Sequence, residues 1–118
     1  MASFDDLSSL DDGAKAHEAI YGQQPRHHSS WTHELLAGGA GFAAMKAYEE
    51  YVRSTGKQLS NAEMKEMLAS LAAAEIDKLF EDYGIDFLDK EAAKARSVAQ
   101  AHKHAHEKYG SDGVFCAE

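Results

Sequence analysis

The sequence has one cysteine, Cys116, and one proline, Pro25. A lone cysteine excludes an intramolecular disulfide, which is typical of proteins in a reducing compartment. No apolar run approaches the roughly 20 residues that a membrane-spanning helix needs, and the first residues lack the basic and apolar pattern of a signal peptide. These absences predict a cytoplasmic protein without a membrane span.

Basic residues are also scarce, since 12 lysines and arginines stand against 20 aspartates and glutamates, for a net charge of −8. An acidic surface disfavours nucleic acid and anionic membranes as partners. The chain is histidine-rich, and seven protonated histidines would cancel most of the eight excess negative charges. Because histidine ordinarily titrates near pH 6.5, we expect self-repulsion to fall in mildly acidic solution and to favour association.

The hydrophobic pattern is helical throughout, with no convincing strand. A chain of 118 residues is expected to form one domain. The spacing predicts an all-α fold, a small helical bundle of three main helices and a short N-terminal helix, with flexible ends at 1–11 and 110–118. The predicted helices are Asp12–Tyr21, about 30–54, about 61–83, and one running from an Asp86 cap, assisted by Asp89, to about Tyr109. Ser29 or Ser30 is expected to cap the second helix, and Ser60 with Glu63 forms a capping box for the third.

A glycine- and alanine-rich stretch interrupts the second helix. Glycine costs a helix about 1 kcal/mol relative to alanine, so glycines here need a structural reason. We expect close approach of another helix, and the predicted helix-contact residues are Gly38, Gly39, Gly41 and Ala44. Alanine buries little area, so this composition favours either tight packing or self-association as a homo-oligomer or with a protein partner.

Segment 33–51 resembles segment 65–83, displaced by 32 residues. Identical pairs include Glu34 and Glu66, Leu36 and Leu68, Ala40 and Ala72, and Tyr51 and Tyr83. The match predicts an internal repeat that forms a central antiparallel helical hairpin with its small-residue faces together. The alternative is that two helices rich in alanine, leucine, glutamate and lysine resemble each other by composition alone.

The block His-Glu-Leu-Leu-Ala-Gly-Gly-Ala-Gly-Phe-Ala-Ala-Met-Lys-Ala-Tyr-Glu, at 33–49, resembles the signature of the fungal CipC-like antibiotic response proteins. Asp12–Tyr21 is similar to the first block of that family, although His17 stands where a tyrosine is expected, and Lys65–Arg96 is similar to the last. The resemblance implies a stress-responsive cytoplasmic protein. It implies no catalytic residues, because the family has no assigned activity.

Two histidines of the fourth helix suggest a metal or haem site. The apolar stripe expected to face the core reads Leu88, Ala92, Ala95, Ala99, His102, His106 and Tyr109. Imidazoles at positions i and i+4, here His102 and His106, can chelate one transition-metal ion. A third ligand would come from His17, His27, His28 or His33. The alternative is that both side chains are solvated near the helix C-terminus, where positive charge is favourable.

A second histidine group, His28 and His33, flanks Trp31 before the second helix. Trp31 is expected to anchor this turn to the core. The histidines would then be solvated, would line a ligand pocket, or would supply a catalytic base. Glu49 and Glu81 are expected on solvated faces. Together these observations predict a non-catalytic protein that acts by binding or self-association, with a histidine-based metal or haem protein and a small enzyme using His28 and His33 as alternatives.

Overall fold

Helices make up most of the chain in the computed structural model, which describes residues 10–22, 31–110 and 113–115. They are α1 Leu10–Tyr21, α2 His33–Thr55, α3 Asn61–Tyr83 and α4 Lys90–Tyr109. No strand occurs in the described ranges. The predicted all-α class is therefore confirmed. None of these helices has the length and apolarity needed to cross a membrane.

Helix ends follow local capping chemistry. The predicted capping box is present, because Ser60 accepts from the backbone N–H of Glu63 and the Glu63 side chain accepts from the N–H of Ser60. Gly56 and Gly84 end α2 and α3 in the left-handed conformation, where a side chain would be strained.

Two predicted helix starts were wrong. Helix α2 begins later than expected, with Thr32 as its cap, and α4 is capped by Asp89 instead of Asp86. The second difference arises because the chain first folds back after Gly84. The N–H of Ile85 donates to the carbonyl of Phe80 at 3.0 Å, and Ile85 is buried in the core before α4 begins.

Helix α2 lies at the centre and packs against the other three helices. One core cluster joins its first half to α1, to the end of α3 and to the start of α4; its members include Ala16, Ile20, Trp31, Leu36, Ala40, Ile76, Leu79 and Ala93. A second cluster joins its last half to the start of α3 and the end of α4; its members include Ala44, Met45, Tyr48, Val52, Met64, Leu68, Ala101 and Ala105.

The glycines of α2 lie where neighbouring helices approach most closely. A Cβ atom on Gly39 would lie 2.5 Å from Ile20 Cδ1 of α1, and one on Gly41 would lie 2.9 Å from the backbone nitrogen of Ala101 in α4. Gly38 is also buried, and Ala44 belongs to the second cluster. The two glycines thus face α1 and α4, whereas the repeat predicts that the small-residue face meets α3.

Residues 113–115 pack on the bundle, within the segment where a flexible end was expected. Asn61 donates its side-chain N–H to the carbonyl of Gly113 at 3.0 Å, and Gln58 donates to the carbonyl of Phe115 at 3.3 Å. The Phe115 ring contacts Tyr48 and Tyr109. The contacts arise because this short segment carries apolar side chains that become partly buried against the second cluster.

Candidate ligand-binding site

The face that α4 turns to the core differs from the predicted one. Its buried residues are Ala93, Ser97, Ala101, His104 and Ala105, whereas Ala95, Ala99 and His106 are exposed. The predicted stripe was wrong because alanines lie on several sides of this helix, so hydrophobic spacing does not select a face. Close approach to Gly41 of α2 brings Ala101 inward and turns His102 and His106 towards the edge of the bundle.

That orientation creates a groove between the first turns of α3 and the last turns of α4. The groove has a volume of about 450 Å³ and is lined by Asn61, Met64, Lys65, His102, Lys103, Ala105, His106 and Gly110. Met64 and Ala105 are buried and form an apolar floor, whereas Lys65, Lys103 and His106 are exposed. The lining contains two lysines, Lys65 and Lys103, and no acidic residue, so the groove is positively charged in an acidic protein.

The two histidines of the predicted metal pair both line this groove, but they are not equivalent. Nε2 of His102 lies 2.8 Å from the backbone carbonyl oxygen of Lys65. A carbonyl can only accept, so Nε2 carries the proton and Nδ1 is the nitrogen left for a ligand. His106 is exposed one turn further along. Among the residues that the structure describes, no group of three or more histidine, cysteine, aspartate and glutamate side chains could hold a metal ion.

The predicted site before α2 is only partly within the described chain. His27 and His28 lie outside it. Nε2 of His33 accepts a hydrogen bond of 2.9 Å from the backbone N–H of Asp89, which ties the start of α2 to the cap of α4. Trp31 is 3% exposed and packs edge-to-face on Tyr83, with ring centroids 5.0 Å apart. His33 is therefore engaged in a structural contact.

Glu49 is buried, so its predicted solvated position was wrong. Its carboxylate accepts from Lys108 Nζ at 2.7 Å and from the Tyr109 hydroxyl, and Arg53 lies 3.8 Å away. Burial and the neighbouring Glu49 raise the pKa of the Tyr109 phenol, which keeps it a proton donor. The helix is rotated this way because Tyr48 is fully buried and brings the next residue against the end of α4. The Glu49 carboxylate is thus already bound by side chains of the same chain.

Sequence reasoning missed His104, a fully buried imidazole. Its ring lies directly against Gly13 of α1, where a Cβ atom would clash with it, and edge-to-face with Phe42 of α2. Neither ring nitrogen has a hydrogen-bond partner among the described residues. Burial lowers the pKa of His104. The ring of His17 also contacts Phe42, and its pKa is lowered mainly by burial and secondly by the charge of Lys46.

The spacing of small residues in the sequence is consistent with burial of His104. His104 stands three and seven residues after Ala101 and Ser97, both of which are small enough to allow close helix packing.

The family model described as virulence factor CipC-like matches residues 16–109. The interval covers α2, α3, α4, half of α1 and every groove residue except Gly110. No curated protein and no solved structure shows significant similarity to the chain.

Proposed function

The chain belongs to the family of virulence factor CipC-like proteins, and we propose that it acts without catalysis, by binding a small molecule in the groove between α3 and α4. The observation that carries this proposal is the groove itself. It combines a volume of about 450 Å³, within the usual range of small-molecule sites, with an apolar floor and several polar groups at its edge. We place this activity in the cytoplasm, as part of a stress response.

Binding fits the side chains of the groove better than catalysis does. Its lining includes no serine, threonine, cysteine or carboxylate that an imidazole could activate or be oriented by. The alternative catalytic group His33 already accepts a backbone hydrogen bond through Nε2. The carboxylate of Glu49 is similarly engaged by Lys108 and Tyr109.

The proposal can be tested by screening a mixed library of acidic, basic and neutral fragments against ¹⁵N-labelled protein by NMR. Hits should shift the backbone amides of Lys65, His102 and His106 together. Amides of Lys78 and Asp82, on the exposed far end of α3, serve as the internal control and should not move. Hits that cluster elsewhere, or a library without a hit in the groove, would contradict the assignment.

A metal or haem group is the second candidate, because His102 and His106 do line the same groove. Elemental analysis and a visible spectrum of tag-free protein, purified without chelator, test it directly. A near-stoichiometric transition metal or a Soret band that the His102→Ala, His106→Ala double variant loses would support it. A blank in both measurements would leave the organic ligand as the sole candidate for the groove.

We also infer that α2 and α3 form an antiparallel hairpin derived from the 32-residue repeat. Two observations support this: the matched pairs Leu36 with Leu68 and Ala40 with Ala72 are all buried, and each core cluster joins opposite ends of the two helices. A homo-oligomer would have to use a surface other than the glycines of α2, because Gly39 and Gly41 face helices of the same chain. Acid-promoted association is tested by light scattering at pH 7.5 and 5.5, and an unchanged mass would refute it.

A further inference from the structure

We propose that the α3–α4 groove takes an amphiphilic organic anion, whose charged head lies against Lys65, Lys103 and His106 and whose apolar body lies along the carbon atoms of the groove lining. The inference rests on the proposal that this groove is the ligand site, and it adds the chemical class of the ligand. It follows from the charges at the edge of the groove, the surface of its floor and the state of His102.

The two lysines of the groove have no carboxylate partner among the described residues. Five other basic side chains form ion pairs, namely Arg53, Lys90, Lys94, Arg96 and Lys108. Lys46, Lys57 and Lys78 form none with a described residue either, but they do not line the groove. Neither Lys65 nor Lys103 forms an ion pair with a described residue, and the lining has no carboxylate. Two ammonium groups and two imidazoles therefore face one groove, which attracts an anion and repels a cation.

The floor argues for a ligand with an apolar part. Met64 and Ala105 lie at the floor but are each 2% exposed, so most of the apolar surface that a ligand would cover comes from the carbon atoms of the lining side chains above them. A small inorganic anion would leave this apolar surface wet, whereas a chain or ring of several carbons would cover it.

His102 favours an organic anion over a metal ion. Its Nε2 donates to the carbonyl of Lys65, which fixes the ring and takes up one of its two nitrogens. A chelate with His106 would have to use Nδ1 and would form beside two ammonium groups. An anionic head needs no such rearrangement, because Lys65, Lys103 and His106 offer N–H donors from the exposed edge.

The test compares ligands that share a chain and differ in their heads. Octanoate, 1-octanol and octylammonium are titrated by NMR and calorimetry at low salt, with acetate as the anion without an apolar body. We expect octanoate to bind most tightly and to shift the amides of Lys65, Lys103 and His106. Its affinity should fall as salt is added, because exposed charges are screened.

Charge-reversal variants show whether the lysines are responsible. The Lys65→Glu, Lys103→Glu double variant should weaken octanoate binding roughly tenfold or more, since each exposed charge contact is worth up to about fivefold and reversal adds repulsion. The matched control is Lys57→Glu, Lys78→Glu, which changes the net charge equally at exposed positions outside the groove and should bind octanoate as wild type does.

The outcomes separate the two proposals. If octylammonium or octanol binds in the groove as tightly as octanoate, the anionic class is wrong although the groove remains the site. If acetate matches octanoate, the apolar part of the inference is wrong. If octanoate shifts only residues outside the groove, or none, the anionic class is refuted, and the outcome of the mixed fragment screen decides separately whether the groove is a site at all.

Discussion

Replacing Gly41 with alanine should destabilise the protein, although alanine is the better helix former. A Cβ atom at this position would lie 2.9 Å from the backbone nitrogen of Ala101 and 3.0 Å from the Cβ of Gln100. These atoms belong to the backbone of α4 or are attached directly to it, so they cannot rotate away. Helix α4 would have to move outward, and the core contacts of Ala101 would loosen.

The sign of the effect depends on two opposing terms. Alanine gains about 1 kcal/mol over glycine in helix propensity. Overpacking a close contact costs about 1–3 kcal/mol, and the upper half of that range applies where backbone must shift. We therefore expect Gly41→Ala to lose about 1–2 kcal/mol. Gly39→Ala should change stability by less than about 1 kcal/mol, because its closest contact, Ile20 Cδ1 at 2.5 Å, is the far end of a flexible side chain.

Urea unfolding followed by far-UV circular dichroism measures both variants, with an unchanged dependence on urea concentration required for the comparison. The control is Ala47→Gly, at an exposed position of α2, which should lose about 1 kcal/mol through propensity alone. A Gly41→Ala variant that is more stable than wild type by about 1 kcal/mol would refute the close approach of α2 and α4.

Three further predictions concern polar side chains. Burial lowers the pKa of His104 and His17, so between the ordinary histidine pKa and their folded values the unfolded chain binds protons that the native protein does not. The free energy of unfolding should be highest above about pH 6.5 and should fall at lower pH, by less in His104→Gln than in wild type. Urea unfolding at pH 7.5 and 5.5 measures this loss, and an equal loss in wild type and variant would contradict the prediction. Tyr109→Phe should lose about 1.5 kcal/mol in urea unfolding, because the buried carboxylate loses a donor. His33→Phe should speed hydrogen exchange at the Asp89 amide, which loses its acceptor; an unchanged rate would refute that bond.

Part of the candidate site was accessible from the sequence. The i, i+4 spacing identified His102 and His106, and both line the groove. Lys65 and Lys103 were not singled out, because they lie on different helices, 38 residues apart, and no local pattern connects them. The groove is positively charged only because α3 and α4 pack side by side and bring the two lysines together. This charge is the reason that we propose an anion as the ligand in place of a metal ion.

The helices could be predicted from the sequence because their signals are local. The capping box at Ser60 acts within one turn, and Gly56 and Gly84 end their helices by adopting a left-handed conformation that other residues rarely take. These effects need no partner from elsewhere in the chain. Membership of the family was likewise carried by a contiguous block of residues.

Which side of each helix is buried depends on how the helices pack together. In α4 the stripes through Ala95 and Ala101 are similar in hydrophobicity, and the difference between exposing one or the other comes from the fit to Gly41. The same holds for Glu49, which is buried because Lys108 and Tyr109 reach it from a helix about 60 residues away. In an alanine-rich bundle hydrophobic burial discriminates weakly among faces, so close packing at glycine and a few long-range polar contacts select the arrangement.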